Sequence, residues 1–117
     1  NRVVFLGLRN DVSNFLVSSN YNVLSTKYEG MSLSCIEGMA SGKPFLASDV
    51  PGVTNLVGNY GVLFPFGNYE NLAKEIIELE KDSIYTKKII ESCKLRASEF
   101  SVVIMSSNYL NLYKEII

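Results

Sequence analysis

The chain contains no histidine, only two cysteines and three prolines. Without an imidazole, serine-histidine and cysteine-histidine catalytic arrangements are excluded, and the commonest metal ligand is gone. Cys35 and Cys93 are far apart in sequence and lack metal-site spacing, so they read as reduced thiols of a cytoplasmic protein rather than a disulfide framework. An excess of one charge is also missing: 11 Lys and Arg stand against 12 Asp and Glu. The lysines are dispersed, and no basic stripe or aromatic-basic interleaving points to a nucleic-acid partner. No apolar run is long enough for a transmembrane segment, and no signal-peptide pattern or low-complexity tract is read in the sequence. What is there is 117 residues, 47% of them hydrophobic, which is one domain or less with enough apolar content for a core.

Four short apolar runs read as strands. Val3 to Leu6 is the first, ended by Gly7; Tyr21 to Ser25, Pro44 to Ser48 and Gly61 to Phe64 follow. Leu8-Arg9-Asn10 is a loop, and Asn10 or Asp11 caps a short helix expected to bury Val12, Phe15 and Leu16. Asp49-Val50-Pro51-Gly52 is a turn before a short helix near Thr54 to Val57. Beyond Pro65 the pattern is helical. Asn68 caps a helix with Leu72, Ile76, Ile77 and Leu79 inward, and Asp82 or Ser83 starts another that buries Ile84, Ile89, Ile90 and Cys93. The last helix, about Val102 to Ile117, carries Ile104, Met105, Tyr109, Leu112, Tyr113 and Ile116, which read as core. Apolar strands alternating with helices predict an α/β fold: a Rossmann-like parallel sheet with helices on both faces. Ligands of such sheets bind outside the carboxyl ends of the strands, where Leu8 to Asn10, Thr26 to Ser32 and Asp49 to Gly52 should converge.

The stretch Glu29 to Pro44, EGMSLSCIEGMASGKP, carries the chemistry. Leu33, Cys35, Ile36, Met39 and Ala40 recur at helical spacing, and Gly42 and Pro44 supply the stop, so a helix is predicted from about Leu33 to Ser41. The amides of Ser32 to Cys35 are then free donors at the positive end of the helix dipole, a ready phosphate site. Gly30 allows close approach of a ligand, and Ser32 and Ser34 add hydroxyls. Glu29 and Glu37 would lie about 12 Å apart if helical geometry ran continuously between them, beyond the about 5–9.5 Å of a glycosidase pair. Two acids flanking an amide-rich helix start suit hydroxyls at the two ends of an elongated, phosphate-centred ligand such as a nucleotide sugar. Two plainer readings stand beside this one. Ser34 and Glu37 fit a capping box, and Glu29 fits a solvated loop acid.

The run YEGMSLSCIEGMASGKPFLASDVPGV resembles the E-x7-E signature of retaining family-4 (group 1) glycosyltransferases, roughly EGFGLxxLEAMAxGxPVVAS. Both acids, Gly42-Lys43-Pro44 and the following strand recur in register, and the likeness extends from Phe5-Leu6-Gly7 to Gly61 and the residues after it. The resemblance implies the donor-binding, C-terminal part of a two-domain GT-B enzyme over residues 1–117, without its first strands and without the N-terminal acceptor domain. It implies transfer of a sugar from a nucleotide diphosphate sugar to a glycan or lipid-linked acceptor with retention. Glu29 is then catalytic, holding donor-sugar hydroxyls. Gly30 and the amides of Met31, Ser32 and Leu33 meet sugar and phosphate oxygens, Glu37 accepts from the ribose, and Leu8 and Arg9 line the base pocket. No metal is expected, because no Asp-x-Asp cluster is present, and no cofactor besides the donor substrate. The family's basic pair for the diphosphate is not matched: Lys43 sits at the far end of the helix, about 13 Å from its start. Lys27 matches no family position, and neither do Thr54 and Asn55, where a Pro-Glu pair is usual. The fragment alone is therefore expected to be inactive, with the protein at the cytoplasmic face of a membrane or free in the cytoplasm. Its first strand is expected either to move beside Tyr21 to Ser25 or to leave that edge to pair with another copy. The alternative of another class is a non-catalytic nucleotide-binding or protein-interaction module on the same sheet.

Overall fold

A computed structural model describes residues 2–117, so residue 1 of the single domain read from the sequence lies outside the described residues. Along the chain run α1 (Val12–Ser18), β1 (Asn22–Leu24), α2 (Leu33–Ala40), β2 (Phe45–Asp49), α3 (Val53–Val57), β3 (Val62–Pro65), α4 (Tyr69–Lys81), α5 (Ser83–Ser98) and α6 (Val102–Ile116). The strands form one parallel sheet in the order β1-β2-β3, with Val23 opposite Leu46 and Leu46 opposite Val62. Parallel neighbours need crossover helices, and α2 and α3 supply them. Phe45, Leu46, Ala47 and Ser48 of β2 are buried one after another. Since successive side chains point to opposite faces, both faces of the central strand are covered. The fold is thus the expected Rossmann-like α/β layer structure, its core built from β2, Cys35 and Met39 of α2, Val53 and Val57 of α3, and Ile89 and Cys93 of α5.

Helix starts follow local chemistry. Asn68 accepts from the Asn71 amide at 2.9 Å, and Asp82 accepts from Ile84 and Tyr85 at 3.0 and 2.8 Å. Asp11 stands at the start of α1 but makes no side-chain cap, because its carboxylate is taken by Arg9. Buried Asn22 ties three elements together: it donates to the Leu16 carbonyl at 3.1 Å and to Ser41 Oγ at 2.8 Å, and accepts from Ser19.

Four expectations are corrected. Val3 to Leu6 forms no strand, neither apart nor beside β1, and Phe5 is 94% exposed. An apolar run becomes a buried strand only where another strand and a covering helix receive it, and among the described residues none does. Helix α1 buries no residue: Val12 and Phe15 are exposed and Leu16 is half-buried. Ile77 and Ile84 face solvent, and α6 has no buried residue although its apolar residues recur at helical spacing. Periodicity marks a face suited to burial and does not supply its partner.

Candidate functional site

The site is built at the carboxyl end of β1 and β2, and its local order begins with Ser48. This wholly buried hydroxyl on β2 accepts from the Thr26 amide at 2.9 Å, fixing the chain where it leaves β1. Thr26 Oγ1 in turn donates to the Tyr28 carbonyl at 3.1 Å. The next residues, Glu29 and Gly30, rest their carbonyl groups against Gly52 of the β2–α3 turn. That turn is itself held by Thr54, whose hydroxyl reaches Asp49 at 2.5 Å and the Val50 carbonyl at 2.9 Å. Two of the three loops expected to converge therefore do so.

Helix α2 starts at Leu33, with Ser32 as its cap: the 4% exposed Ser32 accepts from the Cys35 amide at 3.3 Å. The capping-box reading of Ser34 with Glu37 is thereby overturned. Ser34 already lies inside the helix, and the third helical position is occupied by Cys35. Glu37, two residues further on, is exposed and free of any capping task. The amides of Met31, Ser32, Leu33 and Ser34 find no acceptor among the described residues. They are the orphan donors of a helix start. Burial pushes the Cys35 thiol up; the Ser32 hydroxyl opposes this shift and the Glu29 carboxylate reinforces it.

Glu29 is half-buried and Gly30 exposed, while Met31 and Leu33 present exposed side chains beside them. Glu37 opens onto a groove of about 280 Å³ between α1 and α2, walled by Val12, Leu16, Val17 and Ala40. Gly30 and Met31 border a different groove, with Gly52, Leu56, Arg96 and Phe100. Leu8 is fully exposed, and Arg9 is turned onto Asp11 at 2.7 Å and over the Phe15 ring at 4.8 Å. The grooves beside Gly30 and Glu37 are lined without Leu8 or Arg9. The structure thus brings Glu29 through Leu33 together, sets Glu37 along the same helix, and leaves Leu8 and Arg9 apart.

Two residues of the site were not legible in the sequence. Ser48 acts on backbone atoms distant in the chain, and a strand residue carries no signal of that; the Asp49 to Gly52 turn is expected at this edge, but not the contact of Gly52 with the Glu29 and Gly30 carbonyls. Arg96 donates to the Leu56 and Asn55 carbonyls at 2.9 and 3.2 Å, closing the end of α3, and it lies over Tyr60 and Phe100. Only its place in a basic helix end hinted at such a role.

Comparison with known proteins places this geometry among others. The family model for Glycosyl transferases group 1 matches residues 1–96. A galactosyltransferase of Escherichia coli named UDP-Gal:alpha-D-GlcNAc-diphosphoundecaprenol alpha-1,3-galactosyltransferase is 31% identical over 71% of this chain and 22% of its own length. The N,N'-diacetylbacillosaminyl-diphospho-undecaprenol alpha-1,3-N-acetylgalactosaminyltransferase of Campylobacter jejuni is 27% identical over 98% of this chain and 31% of its own. Among solved structures, Anabaena HepE in complex with UDP superposes with a TM-score of 0.90 at 27% identity, covering 98% of this chain and 33% of HepE. HepE has also been solved with UDP-glucose. The chain spans 22–33% of these relatives' lengths.

Proposed function

Since the chain belongs to the family of glycosyl transferases group 1, we propose that it supplies part of the donor-binding domain of an enzyme moving a sugar from a nucleotide diphosphate sugar to a glycan or lipid-linked acceptor, with retention. The observation that carries this reading is the row of unpaired amides from Met31 to Ser34 at the start of α2, flanked by the Glu29 loop. Such a row donates to diphosphate oxygens, because unpaired N–H groups and the helix dipole both favour negative charge. As the bond to the sugar breaks, charge grows on the leaving diphosphate, and donors already in place stabilise it without reorganising. Glu29, on a loop fixed by Ser48 and Gly52, holds donor-sugar hydroxyls and orients the anomeric carbon. Glu37, released from capping, accepts from the ribose hydroxyls.

Retention is supported by the α-1,3 products in the two relatives' names: from an α-linked nucleotide sugar, an α product has the retained configuration. Those names, and the UDP complexes of HepE, favour a uridine diphosphate sugar as donor and a diphospholipid-linked sugar as acceptor. Among the described residues no helix is long and apolar enough to cross a membrane. The test is Glu29→Gln in the full-length protein. Turnover should fall by orders of magnitude while thermal stability holds, since a loop acid contributes little to packing; near-normal turnover would remove Glu29 from the site.

A further inference from the structure

Gly52 has a positive φ of 87°, and its Cα lies hard against a different loop. A Cβ at this position would stand 2.1 Å from the Glu29 carbonyl oxygen and 2.7 Å from that of Gly30. Both are backbone atoms, so no side chain can rotate away to make room. From this contact we propose that Gly52 is a positioning residue for the transfer reaction. It lets the β2–α3 turn close on the Glu29–Gly30 backbone and so sets where the Glu29 carboxylate stands. The inference rests on the role given to Glu29 above.

The loop is pinned at three points, each with its own contribution. Ser48 holds Thr26, at the start of the loop. Ser32 caps α2, at its end. Gly52 is the only one of the three that bears on Glu29 itself. Any L-residue there drives the Glu29 carbonyl back by about 0.9 Å, the gap between 2.1 Å and the 3.0 Å below which Cβ contacts do not occur. Displacements of about 1 Å from a reactive geometry cost on the order of a hundredfold in rate. Gly52 touches the Glu29 and Gly30 carbonyls and so bears on the Met31 amide, but the amides of Ser32, Leu33 and Ser34 lie beyond that contact, so binding of the nucleoside diphosphate should largely survive. A shift in kcat with affinity retained is the signature that a purely structural glycine would not give.

The experiment uses the full-length protein and four variants: Gly52→Ala, Glu29→Gln, the double variant, and Gly67→Ala. Gly67 also has a positive φ, 77°, but nothing lies within 4 Å of its Cβ position, so it controls for backbone strain alone. The expected result is a kcat loss on the order of a hundredfold in Gly52→Ala, with affinity for UDP retained and Gly67→Ala close to wild type. In the Glu29→Gln background, Gly52→Ala should change kcat by less than about twofold, because residues acting through one another are not additive. If Glu29→Gln lowers turnover but Gly52→Ala behaves like Gly67→Ala, the positioning role is overturned and the role of Glu29 stands. If Glu29→Gln turns over normally, both are overturned. Should Gly52→Ala fail to fold, Ser48→Ala decides. It frees the start of the same loop without a clash, and an unchanged kcat in that variant refutes a loop whose placement governs the reaction.

Discussion

Replacing Gly38 by alanine pits two known effects against each other. Alanine is favoured over glycine inside a helix by about 1 kcal/mol. Here, however, the new methyl would lie 2.4 and 2.5 Å from two ring carbons of Phe45. That ring is 2% exposed and belongs to the central strand, so making room for the methyl means repacking the core around it. Overpacking of a core costs about 1–3 kcal/mol, which outweighs the propensity gain and leaves a net loss of about 1 kcal/mol. Phe45→Val alone opens a cavity and should cost about 2 kcal/mol. Together the two changes add a methyl where ring volume has been removed, so the double variant should be more stable than the sum of the single losses predicts. The motif resembled by this chain carries alanine and valine at these two positions. Gly38 and Phe45 are therefore a matched small-large pair. Urea denaturation of all four species, with equal slopes required, measures the coupling. A stabilised Gly38→Ala variant, or simple additivity, would refute tight packing of α2 on β2.

Glu37→Gln should weaken nucleotide affinity by about 1.5–3 kcal/mol and leave the urea midpoint unchanged, because Ser32 and not Ser34 caps α2; calorimetric titration and denaturation read the two separately. Ser32→Ala should cost about 1 kcal/mol of stability, more if the buried Cys35 amide is left without a partner, and denaturation measures it. Burial pushes the Cys93 thiol up to about 11, so the folded state favours the neutral form. Its contribution is complete below the unfolded thiol's range, about 8.5, and is lost as pH rises toward about 11. The urea midpoint should fall across that window, and fall less in Cys93→Ala. Tyr21, raised to about 12 chiefly by its hydrogen bond to Glu80, adds a parallel loss at still higher pH.

What could be read from the sequence was what local chemistry decides. The strands near Tyr21, Pro44 and Gly61, the caps Asn68 and Asp82, and the α2 span were placed within a residue or two, since alternation, cap residues and Gly-Pro stops are local signals. The parallel sheet and the joining of the Glu29 loop with the Asp49–Gly52 turn followed from topology. What failed needed a partner. Val3 to Leu6 and the apolar residues of α6 carry the right pattern, but burial depends on a second surface that the pattern does not contain. The start of α2 leaves Ser32 and Ser34 both competent as caps in the sequence, and only the backbone at Ser32, extended with ψ near 108°, decides against the capping-box alternative. Asp11 likewise had two acceptable partners, a helix start and Arg9, and the ion pair won.

The central claim is that the α2 start and the loop before it receive the donor diphosphate. It is tested most directly by titrating isotopically labelled full-length protein with UDP-glucose and the corresponding guanosine, adenosine and thymidine diphosphate sugars while following backbone amide resonances. The account predicts that the sugar nucleotide that binds moves the amides of Met31, Ser32 and Leu33 most, and that UDP moves those of Ser32 and Leu33 if uridine is the base. Saturable binding that leaves these amides where they were, or no binding by any of the four, would contradict it.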